Sequence, residues 1–333
     1  MDKDGKISFE IVLRESQSVD SVRRWLGLSE SEMRREVAYA IIEKNLAQLW
    51  SLFEAYLVLH GSARADISEK TLINYSYGLK KLLRFVRHQN VNLLYPERDL
   101  GYKYKSYLSS IRREKISLQN QNATLTPLTI RWLIGAARRF YQSLNWAGVI
   151  SINPFADVKV ARDSIMPWER RSAYSEFEIE CLLAKADEEM RLLLLLGAHG
   201  GLRISETLNL MTDDIEISSM TLTVRKGKGR KRRKVSIGKN LSRSIAQLDA
   251  GSRQIFMYSP CKVRIKLKRL CNEADITYRG HHALRHYCGT RLMSQTGSIE
   301  IVAQHLGHVS TETTRTYIKI DDTLLQSEIG SWL

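Results

Sequence analysis

MTLTVRKGKGRKRRKVSIG, residues 220–238, decides the fold class, because here a largely helix-patterned chain switches to alternating apolar and polar residues. Leu222 and Val224 stand before the turn, and Val235 and Ile237 follow it, so both arms read as strands of a hairpin with one apolar face. Between them, eight of the ten residues 225–234 are Lys or Arg, and Gly227 and Gly229 let the backbone bend tightly and approach a partner. Taken alone, such a charge run is a solvated surface or a generic phosphate patch. Pinned at both ends into strands, it presents its cations on a fixed support.

On either side of the hairpin the pattern is helical. Upstream, EFEIECLLAKA (176–186) and MRLLLLLGAHGGLRISETLNL (190–210) carry helical runs, and helices resume after residue 238. Nearer the start, apolar periodicity covers 37–59, 68–86, 100–111 and 126–147, with Ser68 and Thr126 as N-caps and Pro127 in a first helical turn. A short helical pair fits 18–36, with Ser29 or Ser31 as a cap. The stretch 153–175 has two prolines, several charges and no periodicity, which marks a linker. The expected fold is mainly α with a small antiparallel β-sheet. Its expected divisions are an extension of unknown role at 1–37, a helical domain at 38–152, a linker at 153–173 and a second domain at 174–333.

Composition narrows the function. Lys and Arg outnumber Asp and Glu by 51 to 36, a net charge of +15 spread over both halves, as in a protein that grips one polyanion with two lobes. No run of about 18 apolar residues exists to span a membrane, and the polar start MDKDGKIS lacks a signal-peptide core, so a cytoplasmic, nucleoid-associated protein is expected. The four cysteines form no CxxC pair and read as reduced thiols without chemistry. DKDGKISFE imitates a calcium loop, but with Gly5 at the sharp turn the closing Glu belongs at position 11, which is Ile11.

Four short elements carry chemistry. The basic turn is one. In GGLRISETL, Arg203 and Glu206 lie three apart on one helical face, after an apolar run and a Gly-Gly turn that imply partial burial. In HHALRHYCGTRL, His282 and Arg285 share a face while Ala283, Leu284 and Tyr287 supply the buried side. In HLGHVSTETTRTYIKI, Gly307 stops one helix and Ser310 caps the next, which carries Tyr317. Two arginines, a lysine, two histidines and a tyrosine suit one reaction, attack on a phosphodiester. Guanidinium groups bind the nonbridging oxygens of a five-coordinate transition state. A tyrosine of pKa about 10, only ~0.1% ionised at neutral pH, needs a neighbouring proton acceptor, and the departing oxygen needs a proton donor.

With GLRISE at Arg203, GKGRKRRKV at Lys228, HxLRH at His282 to His286, LGH ending at His308 and Tyr317 nine residues later, the sequence resembles the tyrosine recombinases, the phage-integrase and Xer-type enzymes. Residues 40–330 share the resemblance. It implies an N-terminal four-helix (SAM-like) core-binding domain that clamps double-stranded DNA, and a C-terminal tyrosine-recombinase catalytic domain. By the same resemblance Tyr317 is the nucleophile, Arg203 and Arg285 bind the scissile phosphate, and Lys228 protonates the leaving oxygen. His282 acts in acid–base transfer, His308 supports the transition state and Glu206 sits behind them. No cofactor or metal is implied. A homotetramer on DNA, or an assembly with a partner recombinase, exchanges strands through 3′-phosphotyrosyl links and a Holliday junction, and the tail 322–333 docks on a neighbouring protomer.

The turn is richer in cations than the family's, which keeps Lys226 and Lys231 open as the acid. Type IB topoisomerases use the same groups, and a DNA-binding regulator with an idle catalytic set is another reading. A zinc hydrolase built on His282, His286, His305 and His308 lacks a carboxylate or thiolate at suitable spacing. Thr311, Thr313, Thr314 and Thr316 weaken helix propensity, which suggests a segment that swings Tyr317 between idle and attacking positions.

Overall fold

The computed structural model describes residues 18–62, 67–111, 124–161, 172–225, 232–246 and 253–307. Those up to 161 form one compact unit and those from 172 a second.

The first unit is built from α1 (Ser18–Leu26), α2 (Glu30–Ile42), α3 (Leu46–His60), α4 (Glu69–His88), α5 (Leu100–Ser110) and α6 (Pro127–Trp146). Local chemistry sets their starts: Ser29, Asn45, Ser68 and Thr126 each accept a hydrogen bond from the backbone N–H three residues on. The periodic run 37–59 is two helices, not one. Lys44 adopts φ 54° and Asn45 caps the second helix, so the chain turns without a Gly or Pro to announce it. Apolar faces meet in an aromatic core in which Phe53 packs edge-on against Trp50 and Phe140, with centroids 6.0 and 5.6 Å apart. Residues 18–37, to which sequence gave no role, join this core. Trp25 is fully buried and donates to Ser51 Oγ, while Ser21 Oγ donates to the buried Glu54. After α6, Arg138 donates to the carbonyls of Phe155 and Val158, which ties the outgoing chain back to the helix.

The second unit is centred on α8 (Glu188–Ala198), preceded by α7 (Glu176–Lys185). Met190 and every residue from 192 to 198 are buried, so α8 is apolar almost all round and must be wrapped. It is covered by α10 (Lys239–Ala246) and by α12 (His281–Thr296), which crosses at Gly197, where an added Cβ would lie 3.0 Å from the Leu284 side chain. Between these helices come the short α9 (Ile204–Leu208) and a three-stranded antiparallel sheet of β1 (Ile215–Glu216), β2 (Thr221–Val224) and β3 (Arg233–Ser236), in that spatial order. The β2–β3 register pairs Leu222 with Val235 and Val224 with Arg233. Leu222, Val224, Val235 and Ile237 are all buried, the face that alternation predicts. α11 (Pro260–Glu273) and α13 (Ile299–Leu306) complete the described unit. Cys271 and Cys288 are buried, Cys261 is exposed, and all four cysteines are free.

Candidate active site

Glu206 is the point on which the site is organised. After α8 the chain turns through Gly201, whose φ of +63° and contact with Leu306 exclude a larger residue: an added Cβ would lie 2.5 Å from Leu306 Cδ2. Arg203 then occupies the N-cap of α9, which places Glu206 one turn in and facing back. One Glu206 oxygen accepts from Arg203 Nη1 at 2.7 Å, and the other accepts from the Arg203 backbone N–H at 2.8 Å. Arg233, opposite Val224 on β3, reaches the same carboxylate as a fork, each Nη donating to one oxygen at 2.9 Å. Arg285 Nη1 lies 3.9 Å away from α12. Three guanidinium groups thus surround one carboxylate whose side chain is 1% exposed. Burial pushes the Glu206 carboxyl up, but the Arg233 hydrogen bonds, the Arg203 amide and the surrounding positive charge outweigh it and bring the pKa down to about 2. Glu206 is therefore ionised under any working condition, and the cluster carries more positive than negative charge.

Arg285 is also a strut. It is 1% exposed and donates from Nη1 to the Gly201 carbonyl at 2.6 Å and from Nη2 to the Leu306 carbonyl at 2.7 Å. One side chain so joins the turn before Arg203 to the end of α13. That end is held twice more. The His305 ring bonds the backbone of His199, and Gly307, in the left-handed region at φ +66°, lies flat on Arg233, whose Cδ would be 2.5 Å from an added Cβ.

The neighbouring histidines divide by helical position. His282 is exposed, with its ring 4.6 Å from that of the buried His286. His281, one residue earlier, turns inward so that its Nε2 is buried without a hydrogen-bond partner; burial, aided by the charge of Arg285, holds its pKa down at about 4. A histidine kept neutral in the fold but protonated near pH 6.5 when unfolded stabilises less as pH falls from 6.5 toward 4. The loss on going from pH 7.5 to 5 is on the order of 1–2 kcal/mol. Thermal unfolding across that range should show the decline, and His281→Asn, which takes up no proton, should flatten it.

Among the residues singled out from sequence, the structure gathers Arg203, Glu206 and Arg285 and places His282 on the first turn of α12. Lys228, with Lys226 and Lys231, lies outside the described residues, as do His308, the threonines around 311–316, Tyr317 and the tail 322–333. Arg233 was not singled out, although strand alternation places it on the same inward face as Val235 and Ile237; the fold then brings that face to Glu206. Among the described residues, no group of three or more His, Cys, Asp and Glu is placed to hold a metal ion, and no helix is long and apolar enough to cross a membrane.

Residues 174–323 match the phage integrase family. A tyrosine recombinase of Thermosipho africanus is 29% identical over 77% of this chain and 90% of its own length. The tyrosine recombinase XerC of Bacillus subtilis is 24% identical over 85% and 95%. In fold, the chain is similar to the XerH site-specific recombinase in its post-cleavage complex with a palindromic difH substrate, with a TM-score of 0.63 at 16% identity over 95% and 94% of the two chains. It is also similar to a lambda integrase dimer bound to a core site, with a TM-score of 0.62 at 17% identity over 81% and 95%. The motif order read from the sequence and these relatives agree: residues 174–323 carry a phage integrase family domain, and over most of its length the chain is similar to tyrosine recombinases, enzymes that cleave and rejoin DNA.

Proposed function

We propose that the chain is a site-specific recombinase of double-stranded DNA in which Tyr317 attacks the scissile phosphodiester. A bond forms between the tyrosyl oxygen and phosphorus, the bond from phosphorus to the 5′ oxygen breaks, and Lys228 gives that oxygen its proton. The 3′-phosphotyrosyl link retains the bond energy, so the 5′ hydroxyl of another strand can reverse the step without ATP. Arg203 and Arg285 bind the nonbridging oxygens, His282 moves the nucleophile's proton, and His308 supports the charged transition state. The observation that carries this reading is the cluster at Glu206: guanidinium groups brought together by separate elements in excess of their counter-charge make a rigid anion site. Relatives solved on recombination sites, one of them after cleavage, support DNA as the partner. In this reading the first unit is the second half of a DNA clamp, four protomers act at a pair of sites through a Holliday junction, with or without a partner recombinase, and 322–333 docks between protomers. The cytoplasm of bacteria such as those carrying its relatives is the setting.

Trapping on a nicked suicide duplex tests the proposal. The wild type should form a detergent-stable covalent adduct that is lost in Tyr317→Phe, and an adduct that persists in the variant refutes the assignment. The proton donor is tested separately. A bridging 5′ sulfur leaves without needing a proton, so it should restore Lys228→Ala cleavage by about 100-fold or more while leaving Arg203→Ala slow. Restoration of Lys226→Ala instead would move the role to that residue.

A further inference from the structure

Arg233 has been described only as a neighbour of Glu206, yet its contacts give it a distinct job. A carboxylate offers four acceptor positions. Arg233 takes one on each oxygen with its fork, and the Arg203 backbone takes another, which leaves Arg203 a single side-chain bond through Nη1. Were the fork empty, the Arg203 guanidinium would gain a bidentate partner in Glu206 and would be drawn away from solvent. With the fork filled, Arg203 stays 24% exposed and its remaining side-chain N–H groups are left unclaimed by Glu206. Meanwhile the Arg233 stem lies under Gly307, the residue before His308, and its buried Nε has no hydrogen-bond partner. The other described cations of the basic stretch are placed differently: Arg225 pairs with Asp214, and Arg232 and Lys234 are exposed.

We propose that Arg233 is a positioning residue that occupies the Glu206 fork so that Arg203 remains directed at the scissile phosphate, while its stem sets the end of α13 from which the chain runs to His308 and Tyr317. This rests on the phosphate-binding role given above to Arg203. Geometry, not charge alone, is the requirement, because a lysine cannot donate in parallel to both carboxylate oxygens.

The test uses the full chain in single-turnover cleavage of the suicide duplex, alongside duplex affinity. Arg233→Gln should bind DNA within about threefold of the wild type and cleave about 30–100-fold more slowly, as expected when a charge-stabilising donor is misplaced. A methylphosphonate at the scissile position removes the nonbridging negative charge that Arg203 is held to meet. On that substrate the deficit of Arg233→Gln should shrink to about threefold, as should that of Arg203→Ala. An equal deficit on both substrates would reduce Arg233 to a structural support and overturn the proposal, as would wild-type cleavage by Arg233→Gln. Should Arg233→Gln fail to fold, Arg233→Lys carries the test: it keeps stem and charge, should remain at least about tenfold slow on the phosphate substrate, and overturns the proposal if it cleaves normally. Absence of any adduct with the wild type, or an adduct with Tyr317→Phe, would instead remove the underlying catalytic reading.

Discussion

Arg285→Ala should lose strand cleavage and fold stability together, whereas Arg203→Ala should lose cleavage with little change in stability. Both guanidinium groups stand by Glu206, but their surroundings differ. Arg285 is 1% exposed and satisfies the carbonyls of Gly201 and Leu306, so truncation leaves two buried acceptors unmet and opens a cavity between α12, the 200–202 turn and α13. Loss of a buried, multiply bonded charged group of this kind costs about 3–5 kcal/mol. Arg203 is partly exposed at a helix start, and its truncation costs about 1 kcal/mol. For cleavage, the proposed roles make each loss the removal of a donor aimed at developing charge, worth about 10²–10³ in rate, and Arg285→Ala should exceed that range because the support for α13 goes as well. Urea unfolding and single-turnover cleavage measured on the same preparations separate the two effects. A normally stable Arg285→Ala would show that the two carbonyl bonds are incidental, and normal cleavage would remove Arg285 from the reaction.

The contrast explains why the site was only partly legible in sequence. Arg203, Glu206, His282 and Arg285 could be found because each motif is local, but the shared helical faces expected of them do not hold: Arg203 stands extended at the N-cap ahead of α9, and Arg285 is buried while His282 is exposed. The hairpin could be found because its alternation needs no long-range information, and Leu222 and Val235 pair as that alternation requires. Arg233 could have been: two residues before Val235 on the same strand, it shares the inward face by alternation, although its partner Glu206 could not be named from the strand alone. Nor could His281 be told from His282: adjacent on a helix, they point in different directions, and only the packing of α12 against Gly197 decides which ring is buried. In the first unit, the turn at Lys44 uses a left-handed lysine in place of the usual glycine. Trp25 finds Ser51 across 26 positions, a contact that a short amphipathic helix does not announce.

Glu206→Gln should destabilise the second unit strongly, and its cost should be greatest at neutral pH and shrink on acidification. At neutral pH the carboxylate offsets three guanidinium groups; an amide of the same shape removes that charge and points an NH₂ at groups that only donate. The pKa lowered from 4.5 to about 2 gives the scale, about 3 kcal/mol. Because the folded pKa is depressed, this contribution is complete above pH 4.5 and disappears as pH falls toward 2, where the wild-type carboxyl is protonated as well. The gap between wild type and Glu206→Gln should thus be near 3 kcal/mol at pH 7 and should close on acidification, even while both proteins weaken; a pH-independent gap would mean that shape and packing, not charge, set the cost. Anions supply a second check. Three uncompensated guanidinium groups in a fixed array should bind sulfate or phosphate more tightly than the wild-type cluster, so either ion should raise the unfolding temperature of Glu206→Gln more than that of the wild type. Equal stabilisation of both proteins would show that the guanidinium groups do not converge on a common anion, and would count against the same array holding a scissile phosphate.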